Sequence, residues 1–399
     1  MNLTTPSSLT GGMKYQLEIY AAGTQKIKPS LPVSFEELEV KASEVLSPEA
    51  FAYVAGSAGS EITTSNNKEA FNHWQIVPRM MGDVSNRSIA VELFGMPLAS
   101  PILLAPIGVL SIVHPEAEIA VAHAAKDLQV PQIVSTVSSK TLEDIAVVNG
   151  DNPHWFQLYW GRNKNFTRSL ISRAEKAGYK AIVVTLDTRI FAWRERDIKN
   201  AYLPFFYNEG LANYLSDPVF LAEVGNPAED RLKTMMHFAQ CFSNPTSTWS
   251  DLQEIRECTK LPIIVKGIQH PDDAKMAIDQ GVDGIIVSNH GGRQMDGAIG
   301  SLDTLSGIAD AVGDKTTILF DSGIRRGADV FKAMAMGAKA VLFGRPYVYG
   351  LAIGGEKGVK EVTANLLADV DLSLGLAGCT SWKDATRDRL FSTQQNTLK

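Results

Sequence analysis

The sequence predicts an α/β fold, a TIM (β/α)8 barrel with additions, and three observations lead there. Short apolar segments rich in β-branched residues alternate with amphipathic segments of helical spacing, the apolar segments number eight, and polar, chemically capable residues gather where they end. A chain of 399 residues with 45% hydrophobic content can bury the core of one large barrel or of two ordinary domains, and the strand count selects the barrel.

In chain order the predicted strands are PILLAP (101–106), QIVST (132–136), WFQLY (155–159), AIVVTLD (181–187), PIIVKG (262–267), GIIVSN (284–289), TILFDSG (317–323) and AVLFG (340–344). Unbroken apolar runs of this length mark strands buried on both faces, as in a parallel sheet. Between them lie segments such as PEAEIAVAHAAKDL, NFTRSLISRAEKAG, PDDAKMAIDQG and GADVFKAMAMGA, with glycine where helices stop.

Two regions exceed a minimal barrel. Residues 1–80 form an N-terminal helical extension, in which SFEELEVKASEVL and SPEAFAYVAG read as helices that begin at serine caps. Residues 188–248 form an insertion after the fourth strand, rich in aromatics (FFYNEGLANYLSDPVF), long enough to carry helices of its own and to act as a lid. Residues 81–399 are read as the barrel, and the whole as a single domain.

Composition narrows the function. A net charge of -6 without a Lys/Arg-rich run argues against nucleic acid or an anionic membrane as partner. The most apolar stretch, SPILLAPIGVLSIVHP, is broken by proline well short of a membrane span, and the N-terminus lacks the pattern of a signal peptide. Cys241, Cys258 and Cys379 show no CxxC spacing, which disfavours a disulfide framework or a zinc site and suits a reducing cytoplasm. A soluble small-molecule enzyme with no metal is the expectation.

In TIM-barrel enzymes the catalytic groups lie at the C-terminal ends of the strands. Here those ends carry Pro106-Ile107-Gly108, Ser135, Gln157 with Tyr159, Thr185 with Asp187, Lys266, Ser288 with His290 and Arg293, Asp321-Ser322-Gly323, and Gly344-Arg345. The last two ends, DSGIRRG and FGRP, combine glycine-flanked loops, helix starts and arginines, as a phosphate cradle would; a turn with a helix cap is the plainer reading of DSGIRRG alone. A lone histidine is more often structural than functional. His290 differs in its setting, because an aspartate such as Asp187 can hold one tautomer and leave the other nitrogen as a general base. Arg293 and Arg194 read as a clamp for a carboxylate, although Arg194 in FAWRERD could equally belong to a solvated charge run. Lys266 could meet negative charge developing on a cofactor or form a salt bridge to a neighbouring strand.

These residues resemble the FMN-dependent 2-hydroxy acid oxidases and dehydrogenases over nearly the whole chain. SNHGGRQ is the most specific motif, and QLY, TLD, VKG, GRP and a near-match to the family's DGG loop, DSGIRRG, occur in the family's order. APIGV, TLDTRIFAWRERD and NYLSDPVF are most similar to the lactate 2-monooxygenase branch.

The resemblance implies that FMN is the cofactor and that a small 2-hydroxy acid and oxygen are the substrates. By the same resemblance His290 is the base, Asp187 its partner, and Arg194 and Arg293 hold the substrate carboxylate. Tyr53 and Tyr159 contact the carboxylate and hydroxyl, while Lys266 lies against the flavin's pyrimidine edge. Ser135, Gln157, Thr185 and Ser288 match flavin-ring contacts, with Pro106, Ile107 and Gly108 beside the reactive nitrogen. Asp321, Gly323, Arg325, Gly344 and Arg345 match ribityl and phosphate contacts. It also implies a homo-oligomer, a tetramer or octamer.

Two departures stand out. Ser322 replaces a glycine and is expected to fit if its backbone is not in a glycine-only conformation. Gly108 replaces an alanine common among the oxidases and is expected either to leave room beside the flavin or to serve a tight turn. The glycines of NHGGR are expected to bring the backbone close to flavin and substrate.

The expected reaction converts L-lactate and oxygen to acetate, carbon dioxide and water. An oxidase releasing pyruvate and hydrogen peroxide is the alternative, and a noncatalytic barrel scaffold is the rival from another class. The sequence does not choose between hydride and carbanion routes.

Overall fold

A computed structural model describes residues 11–393 of the chain. The extension supplies helices α1 (Gly11–Gly23), α2 (Phe35–Val45), α3 (Pro48–Ala55) and α4 (Ile62–Asn72). Ser34 and Ser47 cap α2 and α3 as their sequences predict, accepting hydrogen bonds from the Glu37 and Ala50 amides. The fourth helix is unexpected, since its sequence, ITTSNNKEAFN, is rich in poor helix formers. Long-range bonds hold it: Thr63 Oγ1 donates to Met295 O (2.7 Å), Asn66 to Ala298 O (2.8 Å) and Asn67 Nδ2 to Asn289 Oδ1 (2.8 Å). All three acceptors lie in the loop after the sixth barrel strand, so α4 braces the segment that carries His290.

Among the described residues, eight parallel strands close into a barrel: β1 (Ile102–Leu104), β2 (Gln132–Ser135), β3 (His154–Tyr159), β4 (Ile182–Thr185), β5 (Ile263–Ile268), β6 (Gly284–Val287), β7 (Thr317–Phe320) and β8 (Ala340–Phe343). Each falls on a predicted strand, and β8 pairs with β1 through Leu342 and Leu103 to complete the ring. A TIM barrel is therefore what the chain builds.

Helices α5 (Glu118–Leu128), α6 (Leu142–Asn149) and α7 (Lys164–Lys176) come after the first three strands. The insertion after β4 does carry helices: α8 (Glu195–Lys199), α9 (Ala212–Leu215), α10 (Pro218–Val224) and α11 (Arg231–Phe242). The outer ring then resumes with α12 (Leu252–Cys258), α13 (Pro271–Asp279), α14 (Ser301–Val312), α15 (Gly327–Ala335) and α16 (Arg345–Leu376).

Two apolar layers hold the barrel. One lies between strands and helices; the other fills the interior with Leu103, Ile133, Trp155, Val183, Ile264, Ile286, Leu319 and Leu342. A hairpin, Val91–Leu93 with Met96–Leu98, plugs the N-terminal mouth, and its Phe94 ring meets Trp155 edge-on at 5.7 Å. With that end sealed by side chains, a ligand can reach only the C-terminal end. Among the described residues no helix is long and apolar enough to cross a membrane.

Candidate active site

A cavity at the C-terminal end draws lining residues from the ends of all eight strands, with Tyr53 and Val54 added by the extension and Leu203, Phe205 and Phe242 by the insertion. His290 is one of the lining residues. Its ring Nδ1 lies 2.7 Å from Asp187 Oδ1, a bond that spans β5 from the end of β6 to the end of β4. An ionised carboxylate only accepts, so Nδ1 carries the proton and Nε2 keeps its lone pair. Burial would push the Asp187 carboxyl up, but the positive charges of His290 and Lys266 more than offset this and hold it below the usual carboxylate range. For His290 burial wins: with Lys266 and Arg194 adding repulsion, the imidazole stays below its ordinary pKa despite Asp187.

Thr188, which sequence reasoning passed over, donates to the same Asp187 oxygen at 3.0 Å. The backbone passes close to the Asp187 side chain at Gly267, whose φ is +112 and where a β-carbon would come within 2.8 Å of the aspartate.

The cations form the second component. Arg293 donates from Nη1 to the carbonyls of Tyr53 and Gly56, both at 2.6 Å, and lies 5.0 Å over the Tyr53 ring. Arg194 donates to Arg293 O (3.2 Å) and Gln294 Oε1 (3.0 Å), and Gln294 in turn donates to Asp187 O (3.0 Å). Gln294, the last residue of SNHGGRQ, thus ties clamp to dyad, a role that the motif alone does not disclose. Arg345 is engaged with Val54 O, Gly291 O, Gly56 O and Ser57 Oγ at 3.0–3.1 Å, lacing the extension to the His290 loop.

Burial, reinforced by Arg194, pushes Arg293 down to about 9, and burial with Arg345 pushes Arg325 down to about 10. The Nε of Arg325 is buried without a partner. Such crowding of guanidinium groups, with one donor idle, is the chemistry of a site built for anions, and a phosphate beside a carboxylate fits it.

Lys266 sits between the two components. Its Nζ donates to Ser288 Oγ (2.9 Å) and pairs with Asp321 Oδ2 (3.1 Å), so the salt bridge passes over the neighbouring β6 to the end of β7, and the ammonium still lines the cavity. Burial alone would lower its pKa, yet Asp321 and Asp187 together hold it above the ordinary value. Ser135, Gln157, Thr185 and Ser288 do not line the cavity; they are buried beside it. Gln157 accepts from Ser135 Oγ (3.0 Å) and donates to Thr185 Oγ1 (2.9 Å), which ties neighbouring strand ends together.

Two expectations about backbone need correction, at Gly108 and at Ser322. No room opens beside Gly108, because a β-carbon there would lie 2.3 Å from the Val137 carbonyl oxygen, the same oxygen that accepts the Val109 amide at 2.8 Å. The glycine lets two strand-end loops touch. The glycines of the His290 loop also make close approaches within the protein: at Gly292 a β-carbon would fall 2.3 Å from Thr64 Oγ1 of α4, and at Gly291, which lines the cavity, it would meet Arg345. Ser322 adopts φ +82, in the left-handed region that favours glycine.

The sequence pattern of the FMN-dependent dehydrogenases matches residues 42–392. The chain belongs to this family. It is similar to an FMN-dependent alpha-hydroxy acid dehydrogenase of Penicillium citrinum, 44% identical with 94% of each chain covered. An L-lactate oxidase of Lysinibacillus sphaericus is 45% identical over 88% of this chain and 90% of that protein. Among solved structures, a mandelate oxidase with (S)-4-hydroxymandelic acid superposes with a TM-score of 0.81 at 39% identity, covering 90% of this chain and 98% of the other. The protein is accordingly an FMN-dependent 2-hydroxy acid oxidoreductase.

Proposed function

We propose that the protein oxidises L-lactate, with oxygen as the final acceptor, and that it acts as a lactate 2-monooxygenase giving acetate, carbon dioxide and water. The observation that carries the chemistry is the His290–Asp187 pair at 2.7 Å within a cavity lined by Arg194 and Arg293. Nε2 of His290 is the atom available to take a proton from the 2-hydroxy acid, and Asp187 stabilises the imidazolium that results. Arg293 and Arg194 hold the carboxylate and so fix which face of the substrate is presented. Tyr159 is a neutral phenol, its pKa pushed up by burial and by Asp187, and donates a hydrogen bond to the substrate; Tyr53, beneath Arg293, completes the carboxylate site. FMN, when bound, accepts the two electrons that leave the α-carbon. Lys266 supplies positive charge where the pyrimidine edge would rest, and Arg325, with the Gly323 and Gly344 loops, suits the phosphate end.

The final products depend on how long pyruvate stays bound. Electrons delivered to oxygen yield hydrogen peroxide, and pyruvate held beside it is decarboxylated to acetate, carbon dioxide and water. The insertion favours retention, because its Leu203, Phe205 and Phe242 wall the cavity and Phe205 and Phe242 are themselves buried. The oxidase outcome, free pyruvate and peroxide, is the second reading, favoured by the L-lactate oxidase relative.

One experiment tests both levels. L-lactate added without air should bleach the yellow FMN-loaded protein, and the absence of bleaching with any small 2-hydroxy acid would refute the assignment. Admitting air should then give acetate without free peroxide; pyruvate with stoichiometric peroxide would select the oxidase.

A further inference from the structure

The His290 loop is conformationally expensive. His290, Gly291 and Gly292 adopt φ values of +59, +63 and +80, three consecutive left-handed residues of which the first is not glycine. Such a run persists only when its surroundings over-determine it. One side chain does much of this. Ser322 Oγ accepts the amides on both sides of His290, from Asn289 at 3.3 Å and Gly291 at 3.0 Å, and donates to Asp321 Oδ1 at 2.7 Å. The amide of His290 itself goes to Ser288 Oγ at 3.0 Å. Ser288 accepts from Lys266, and Lys266 pairs with Asp321, so the bonds close into a ring: Ser322, Asp321, Lys266, Ser288 and the His290 loop.

We propose that Ser322 is a positioning residue, whose hydroxyl holds the His290 loop in its left-handed path and keeps the imidazole in line with Asp187. The proposal rests on the reading of His290 as the base. It also explains why a serine occupies a backbone conformation that favours glycine: the residue accepts strain at φ +82 in return for a hydroxyl that satisfies two amides at once, one buried and one half-buried. A glycine would relax the backbone and orphan those amides.

Ser322→Gly and Ser322→Ala separate the two contributions, since the first removes hydroxyl and strain and the second removes the hydroxyl alone. The readouts are steady-state kinetics with L-lactate and the ring N–H resonances of the full chain carrying 15N-histidine, with and without FMN. The seven histidines keep that spectrum sparse, and His290→Ala identifies the His290 signal.

Both Ser322 variants should lower kcat by about tenfold, short of the roughly hundredfold that a 1 Å misplacement can cost, with KM changed less than twofold. Both should also lose or shift the downfield Nδ1–H signal of the Asp187 bond, already in the FMN-free protein. A Ser322→Gly enzyme with wild-type kcat overturns the proposal, and so does a fall in kcat with the His290 resonance unmoved. Should Ser322→Ala fail to fold, Ser322→Gly alone decides. If wild-type protein is not reduced by any 2-hydroxy acid, it is the reading of the site that fails, whereas a wild-type rate retained by Ser322→Gly removes only this inference.

Discussion

The cavity has two walls of different construction. The barrel side, from β4 through β7, is polar and hydrogen-bonded: the lining residues Lys266, His290, Asp321 and Ser322, together with Asp187 and Ser288 bonded to them, each contact at least one other of the set at 2.7–3.1 Å. The insertion side is aromatic. Phe242 at the end of α11 stands 4.6 Å from the Tyr159 ring, 5.0 Å from Phe191 and 5.9 Å from Phe205. The first wall is fixed by directional bonds among side chains and backbone amides at strand ends, which tolerate little displacement; the second is fixed by packing, which tolerates repacking. On this contrast, changes to the barrel wall should act on the chemical step and changes to the insertion wall on binding and on the fate of the product.

The largest effect is expected from His290→Ala. Loss of a general base should slow flavin reduction by roughly 10²–10⁴-fold, while the protein stays yellow, because the anion-binding arginines are untouched. Rapid bleaching by L-lactate in this variant would place the base elsewhere.

Asp187→Asn should come next, with kcat/KM lower by about a hundredfold and a pH signature. The folded pKa of His290 lies below its ordinary 6.5, so the base is already unprotonated at neutral pH and the acid limb of kcat/KM should have its midpoint below 6.5. Asp187 is the group that raises this pKa against burial, Lys266 and Arg194, so removing its charge should move the limb to still lower pH. A shift to higher pH would contradict the assignment of the limb to His290.

The two walls also differ in how much of them the sequence disclosed. The strands were legible because unbroken β-branched runs such as GIIV have few alternatives in a soluble chain, and the strand ends because the TIM barrel confines its chemistry there. His290, Arg194, Arg293 and Lys266 do converge on one cavity, and Asp187 joins them through its bond to His290. What stayed hidden depends on contacts between distant segments. Helix α4 owes its existence to bonds with residues about 230 positions away, which no local propensity records. Gly108 reads as a missing methyl, whereas its cause is the Val137 carbonyl of another loop. Ser322 reads as a tolerated departure, and only its φ and its three partners show that it is engaged with the His290 loop.

The insertion wall should yield the smaller effects on rate. Phe242→Ala removes a buried ring, which should cost about 3 kcal/mol of stability, seen as a lower midpoint in denaturant. If the aromatic wall retains pyruvate, the same variant should convert part of the product from acetate to pyruvate with peroxide, and bleach at a near-normal rate when lactate is saturating. Unchanged product ratios would mean that retention lies elsewhere.

Phe191 offers the mildest test. It is 46% exposed yet stacks on Phe242 with an interplanar angle of 16°, so it covers the buried ring from the solvent side. An aromatic pair of this kind contributes about 1 kcal/mol, and half of the ring is already wet. Phe191→Ala should therefore raise KM for L-lactate by no more than about fivefold, the equivalent of roughly 1 kcal/mol, and leave kcat alone, the pattern of a group that binds ground and transition states alike. A fall in kcat larger than the rise in KM would tie this exposed ring to the chemical step and erase the division between the two walls.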